Sequence, residues 1–115
     1  MKTDKLTLTL LFDFYGDLLT QKQRDCFELW CNQDDTLAEI AELMGTSRQS
    51  VYDAVRRAEQ QLLRFEEVTG CLARERRDRL AADRLQSLSD RLREAVPAEL
   101  PELAGSLTAL ADSLR

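Results

Sequence analysis

Along this 115-residue chain the apolar positions recur every three to four residues, the period that lines up side chains on one face of an α-helix. The first stretch, LTLTLLFDFYGDLL at 6–19, fits two templates: Leu6, Leu8, Leu10 and Phe12 alternate as in a strand, whereas Leu8, Leu11, Phe12, Tyr15 and Leu19 make a helical stripe. No second strand follows to pair with it, so a helix is predicted. Thr20 with Gln23 then forms a capping box, in which the hydroxyl and the amide side chain each satisfy a backbone donor that the helix leaves unpaired. It predicts a helix over about 21–31 that buries Phe27, Trp30 and Cys31. The polar run NQDD at 32–35 ends it, with Asp34 and Asp35 as loop and helix-start residues.

Thr36 with Glu39 repeats the capping signal, and Leu37, Ile40, Ala41 and Met44 follow at i, i+3, i+4 and i+7, one apolar face over barely two turns. Gly45 can take the left-handed conformation that stops a helix, and Thr46 or Ser47 can cap the next. In that next helix Val51, Val55, Ala58, Leu62 and Phe65 carry the apolar face on to about Val68 and Thr69, where Gly70 offers a stop. A short helix, a tight turn and a long helix describe a helix-turn-helix at about 36–58. Small Ala41 suits the crossing, Gly45 the turn, and Ile40, Val51 and Val55 the lock on the interhelix angle. The exposed start of the second helix would enter a major groove, with Ser47, Arg48, Gln49, Ser50, Tyr52 and Asp53 as candidate readers and Arg56 and Arg57 beside them. Asp53 and Glu59 lie close enough in sequence to offset Arg48, Arg56, Arg57 and Arg64.

Beyond Gly70 the pattern thins. Leu85, Leu88, Leu92 and Val96 mark one narrow seam before Pro97, and Leu100, Leu103, Leu107, Leu110 and Leu114 a second. Neither segment is long enough to be stable alone. They pack as a hairpin, on the preceding helix, or between chains, and the surplus of apolar seam favours a homodimer. The predicted organisation is an all-α chain, with a helix-turn-helix domain over 1–69 and an amphipathic helical tail over 70–115 for dimerisation or partner docking.

Composition narrows the function. The net charge of −5 weighs against an unspecialised polyanion binder, yet the sign is uneven. Residues 1–35 hold four basic and seven acidic side chains, whereas 74–93 hold seven arginines against four acids, so a polyanion must meet local patches. That arginine cluster reads as a solvated face with internal ion pairs such as Glu75 with Arg79, or as a phosphate contact. Cys26, Cys31 and Cys71 have no C-x-x-C spacing and no histidine to complete a zinc site, and are expected as buried thiols. Asp4, Asp13 and Asp17 interrupt the start of the chain where a signal peptide is acid-free, and no apolar run is long enough to span a bilayer. A cytoplasmic protein without membrane insertion is expected. With no histidine, no glycine-rich phosphate loop and no nucleophile-and-base set, neither enzyme chemistry nor a cofactor is expected.

LFDFYGDLLTQKQ at 11–23, followed by LAEIAELMGTSRQSVYDAVRRAE at 37–59, resembles the YlxM-like helix-turn-helix proteins of bacteria over roughly residues 6–68. The segment beginning at Ser47 is also similar to region 4 of sigma factors, where S-R-x-x-V opens the helix that reads promoter DNA. Thr46 and Ala54 depart from the more usual larger or apolar residues at their places, which bears on the interhelix angle. Genes of the YlxM-like family typically neighbour that of the signal recognition particle GTPase. The resemblance therefore implies a regulatory or accessory role in protein targeting through that particle, by contact with its RNA or its GTPase, and implies no catalysis. Two readings stand: nucleic-acid recognition, of DNA or RNA, by the helix at Ser47, or a protein adaptor docking on the GTPase.

Overall fold

The computed structural model of the chain describes residues 3–115. Every described regular element is helical. The helices are α1 (Lys5–Tyr15), α2 (Gln21–Cys31), α3 (Leu37–Met44), α4 (Arg48–Thr69), α5 (Cys71–Arg93) and α6 (Leu100–Ser113), with single 3-10 turns at Gly16–Leu18 and Pro97–Glu99. The chain divides into two compact units, one ending at Leu72 and one from Ala73 to Arg115.

Local chemistry sets the boundaries in the first unit. Asp4 caps α1 by accepting the Thr7 N–H at 2.7 Å. Both capping boxes form: Thr20 Oγ1 accepts from Gln23 N–H while Gln23 Oε1 accepts from Thr20 N–H, and Thr36 and Glu39 do the same. The expected first helix ends earlier than 19, at Tyr15, and a 3-10 turn with extended Leu19 delivers the chain to the Thr20 cap. The helical stripe decides the ambiguous segment nonetheless. Leu8, Leu11, Tyr15 and Leu19 are buried and Phe12 is half-buried, whereas Leu6 is 72% exposed.

Gly45 closes α3 at φ 65°, ψ 37°, a left-handed geometry that costs a residue with a Cβ about 1–2 kcal/mol. With it, Thr46 N–H reaches back to Ala41 C=O at 3.0 Å and Gly45 N–H to Glu42 C=O at 3.3 Å, so these two carbonyls near the end of α3 are satisfied within the turn. Ser47 then caps α4 by accepting Ser50 N–H at 3.1 Å. Only Gly45, Thr46 and Ser47 separate the two helices.

The core lies where α1, α2 and α3 meet α4. Phe27, Ile40, Val51, Ala58 and Leu62 are fully enclosed, and buried Ala41 and Ala54 let the backbones approach. Rings of Phe12 and Phe27 pack at 5.0 Å between centroids, and Phe27 and Trp30 at 5.7 Å. Each large side chain so enclosed stabilises the unit by about 1.5–3 kcal/mol. Trp30 is only half-buried, because its indole closes the rim of the core. The core also reaches past Gly70: Leu72 is buried, its N–H bonds Glu66 Oε1 at 2.9 Å, and the Tyr15 hydroxyl bonds Glu66 and Thr69. Burial above all, and then the Glu66 carboxylate, raise the Tyr15 pKa above 10.0.

Cys26 and Cys31 are buried as expected, and burial pushes the Cys26 thiol up, which suppresses its thiolate. Cys71 is half-exposed, because it opens α5 beside the left-handed Gly70 while the next residue, Leu72, takes the inward position.

In the second unit α6 returns along α5. Leu88 and Leu103 are enclosed, and Arg91 and Glu102 pair at 3.7 Å. The chain thus adopts a hairpin between the two tail segments. Leu80, Leu85, Leu92 and Leu100 stay exposed, at 70%, 47%, 40% and 47%. The Glu75–Arg79 pair forms at 2.6 Å.

Candidate nucleic-acid interface

The first four turns of α4 expose one side because their aliphatic stripe faces inward. Val51, Ala54, Val55, Ala58 and Leu62 are buried, so the intervening positions must meet solvent. Ser47 stands at the N-cap with its hydroxyl oxygen engaged by Ser50 N–H. Arg48 is exposed at the first helical position. Gln49 is exposed and its amide donates to Asp53 Oδ1 at 3.0 Å, one turn on. Asp53 is therefore tied to a neutral amide. Among the described residues no ion pair engages Arg48, Arg56, Arg57 or Arg64, and the acids expected to offset them leave these guanidiniums available.

The predicted residues divide between two flanks. On one, Ser50, Asp53 and Arg57 join the cap residue Thr20 and Lys22 and Gln23 of α2 around a shallow depression of about 360 Å³. Lys22 Nζ donates to Ser50 Oγ across it. A second depression continues along α4, lined by Gln23, Arg57, Gln60, Gln61 and Arg64. Lys22, Arg57 and Arg64 thus make a basic strip fringed by amides, which donate to phosphate or to base edges. On the other flank Tyr52 and Arg56 line a cleft with Lys5, Trp30 and Leu37.

Local spacing brings out the α4 residues but not their neighbours. Lys22 lies 28 residues from Ser50, and nothing in the α2 sequence points to α4. The only available signal is the Thr20 capping box, which puts Lys22 in the exposed first turn of α2. Gln23 has a structural task in that box, so its place beside Arg57 comes only from packing.

A short helix, a three-residue turn closed by a left-handed glycine and a long helix with one polar side define a helix-turn-helix protein. Residues 2–96 match the UPF0122 family, described as "Putative helix-turn-helix protein, YlxM / p13 like", and the chain belongs to that family. It is 45% identical over 94 residues to a UPF0122 protein of Thermoanaerobacter sp. (strain X514), covering 82% of this chain and 80% of the relative. Another UPF0122 protein, from Caldanaerobacter subterraneus subsp. tengcongensis, is 53% identical over 70 residues, 61% of this chain and 60% of that one. A third, from Symbiobacterium thermophilum, is 41% identical, spanning 76% and 82% of the two chains. Among the described residues no helix is long and apolar enough to cross a membrane, and no group of acidic or cysteine side chains is arranged to hold a metal ion.

Proposed function

We propose that the protein is a non-enzymatic accessory factor of signal recognition particle-dependent targeting whose α4 surface binds nucleic acid, DNA or the particle's RNA. The observation that carries this reading is the set of unpaired guanidiniums on the exposed side of a helix-turn-helix second helix, extended by Lys22. Phosphate binding needs cations not already neutralised by neighbours, and Arg48, Arg56, Arg57 and Arg64 meet that condition despite the net charge of −5. The targeting pathway follows from the resemblance to the YlxM-like family.

The test is binding to a DNA duplex and to the particle's RNA over a salt series, for the wild type and an Arg48→Ala, Arg57→Ala double variant. Both positions are exposed, so the variant keeps its stability. Affinity falls, and the slope of log affinity against log salt flattens by about 0.9 per lost duplex phosphate contact. Unchanged affinity and slope on both probes would overturn the reading. The second reading, docking on the particle's GTPase, is favoured by one observation: Leu43 projects from α3 at 69% exposure beside acidic Glu39 and Glu42. Its signature is co-purification of the double variant with the GTPase after nuclease treatment.

We also propose that the second unit self-associates. Its exposed Leu85 and Leu92, seven residues apart on α5, line a groove of about 410 Å³ with Leu107 of α6, a surface that a second copy of the hairpin would bury.

A further inference from the structure

The flank of α4 that carries Tyr52 differs in kind from the basic strip. Its cleft, about 490 Å³, lies within the range of small-molecule sites and has an apolar floor of Leu8, Leu37 and Val55. Trp30 and Tyr52 supply aromatic surface, and both keep part of it in solvent: Trp30 is half-buried and Tyr52 is 45% exposed. Neither the Tyr52 hydroxyl nor the Arg56 guanidinium has a hydrogen-bond or ion-pair partner among the described residues. Lys5 is already committed, to Asp34 at 2.6 Å and to the Trp30 ring at 5.2 Å. Half-buried Glu59 completes the wall.

Each of these groups suits one part of a nucleotide. A base stacks on aromatic rings over an apolar floor whatever its identity, an unpaired guanidinium takes a phosphate oxygen, and a carboxylate, which can only accept, pairs with the N–H donors of a base edge. Guanine presents two such donors side by side, on its ring nitrogen and its exocyclic amine, whereas uracil presents one ring N–H. With Lys5 neutralised by Asp34, the one cation left unpaired in the cleft, Arg56, suits the single charge of a phosphodiester better than the several charges of a free triphosphate. A paired base keeps its faces stacked on its neighbours and cannot enter.

We infer that this cleft holds one unpaired nucleotide of a polynucleotide strand, stacked at Trp30 and Tyr52, with its phosphate on Arg56 and guanine favoured by Glu59. The inference rests on the nucleic-acid reading of α4 and sharpens it, since it turns a general phosphate-binding helix into one that selects a strand with an extruded base.

Four probes test it on the full-length chain: an RNA hairpin with one bulged guanosine, the same hairpin fully paired, the same with a bulged uridine, and guanosine monophosphate alone. Trp30 is the chain's sole tryptophan, so its fluorescence reports the cleft directly. The bulged-guanosine hairpin is expected to bind about 5- to 100-fold more tightly than the paired one and to quench Trp30. Tyr52→Ala brings the bulged and paired hairpins to equal affinity, Tyr52→Phe retains the advantage of the bulge, and Glu59→Gln equalises bulged guanosine and bulged uridine. Equal binding of bulged and paired hairpins, or an advantage that survives Tyr52→Ala, would overturn the inference and leave the proposed function standing. Guanosine monophosphate binding as tightly as the bulged hairpin overturns the assignment to a strand and makes the cleft a free-nucleotide site. Failure of every hairpin, of the particle's RNA and of duplex DNA to bind removes the proposed function itself, and the inference with it.

Discussion

The two units of this chain are written in the same alphabet and end differently. Both are helical, both repeat leucine or another apolar residue at three- and four-residue intervals, and both carry arginine on their polar sides. Yet fifteen apolar side chains are buried up to Leu72 and only Ala81, Leu88 and Leu103 beyond it, among the described residues. The difference lies in how many helices share the burial. In the first unit α4 is flanked by α1, α2 and α3, so its apolar stripe is covered along most of its length. In the second, α5 has one partner, and a two-helix hairpin covers only the line along which the helices touch. Periodicity sets which side of a helix is apolar; the number of neighbours sets how much of that side leaves water.

The largest effect that follows is at Ile40. An Ile40→Asp variant puts a carboxylate into the fully enclosed centre of the first unit, where an unpaired charge costs several kcal/mol, and the unit is expected to unfold. Leu103→Asp makes the same chemical change at an equally enclosed position of the second unit. It should melt the hairpin while Trp30, which reports only the first unit, keeps its native fluorescence and near-ultraviolet circular dichroism. A cooperative loss of both units in the Leu103 variant would show that the contrast between them is not one of independent cores.

A smaller effect concerns the uncovered leucines. If a second copy covers them, light scattering over a concentration series gives a dimer for the wild type and a monomer for Leu85→Glu with Leu92→Glu, two exposed positions whose change leaves each hairpin intact. A monomeric wild type at every concentration would sink the self-association proposal.

The smallest effect is a pH dependence confined to the first unit. Burial, then the hydrogen bond to Glu66, raise the Tyr15 pKa above 10.0, so folding favours the neutral phenol. Its stabilising contribution is present below pH 10 and is lost as pH rises through the raised, folded-state value. With Tyr52 replaced by Phe, Tyr15 is the last of the two tyrosines, and its ultraviolet titration should fall above pH 10 and coincide with alkaline unfolding. Tyr15→Phe costs about 1 kcal/mol at neutral pH, the net worth of a typical hydrogen bond, and removes this alkaline component. A Tyr15 that titrates near 10 while the chain stays folded would contradict the buried network with Glu66 and Thr69.

The features that depend on neighbours within one or two turns are legible in the residues alone. The caps at Thr20 and Thr36, the stop at Gly45, the inward Val51 and Val55 and the outward Arg48 and Gln49 are properties of short segments. A capping box closes over three residues, and a helix's inner and outer sides are fixed by a period of 3.6. Contacts over longer separations come from packing. Lys22 comes beside Ser50 from 28 positions away, Trp30 joins Tyr52 across the rim of the core, and Glu66 ties Tyr15 to the start of α5. The choice of hairpin for the tail is of the same kind. Leucine seams of equal spacing can close within a chain or between chains, and the turn at Pro97–Glu99 brings α6 back onto α5. Periodicity states that an apolar side must be covered and is silent on what covers it, because burial depends on the identity of the neighbour and the angle at which it arrives.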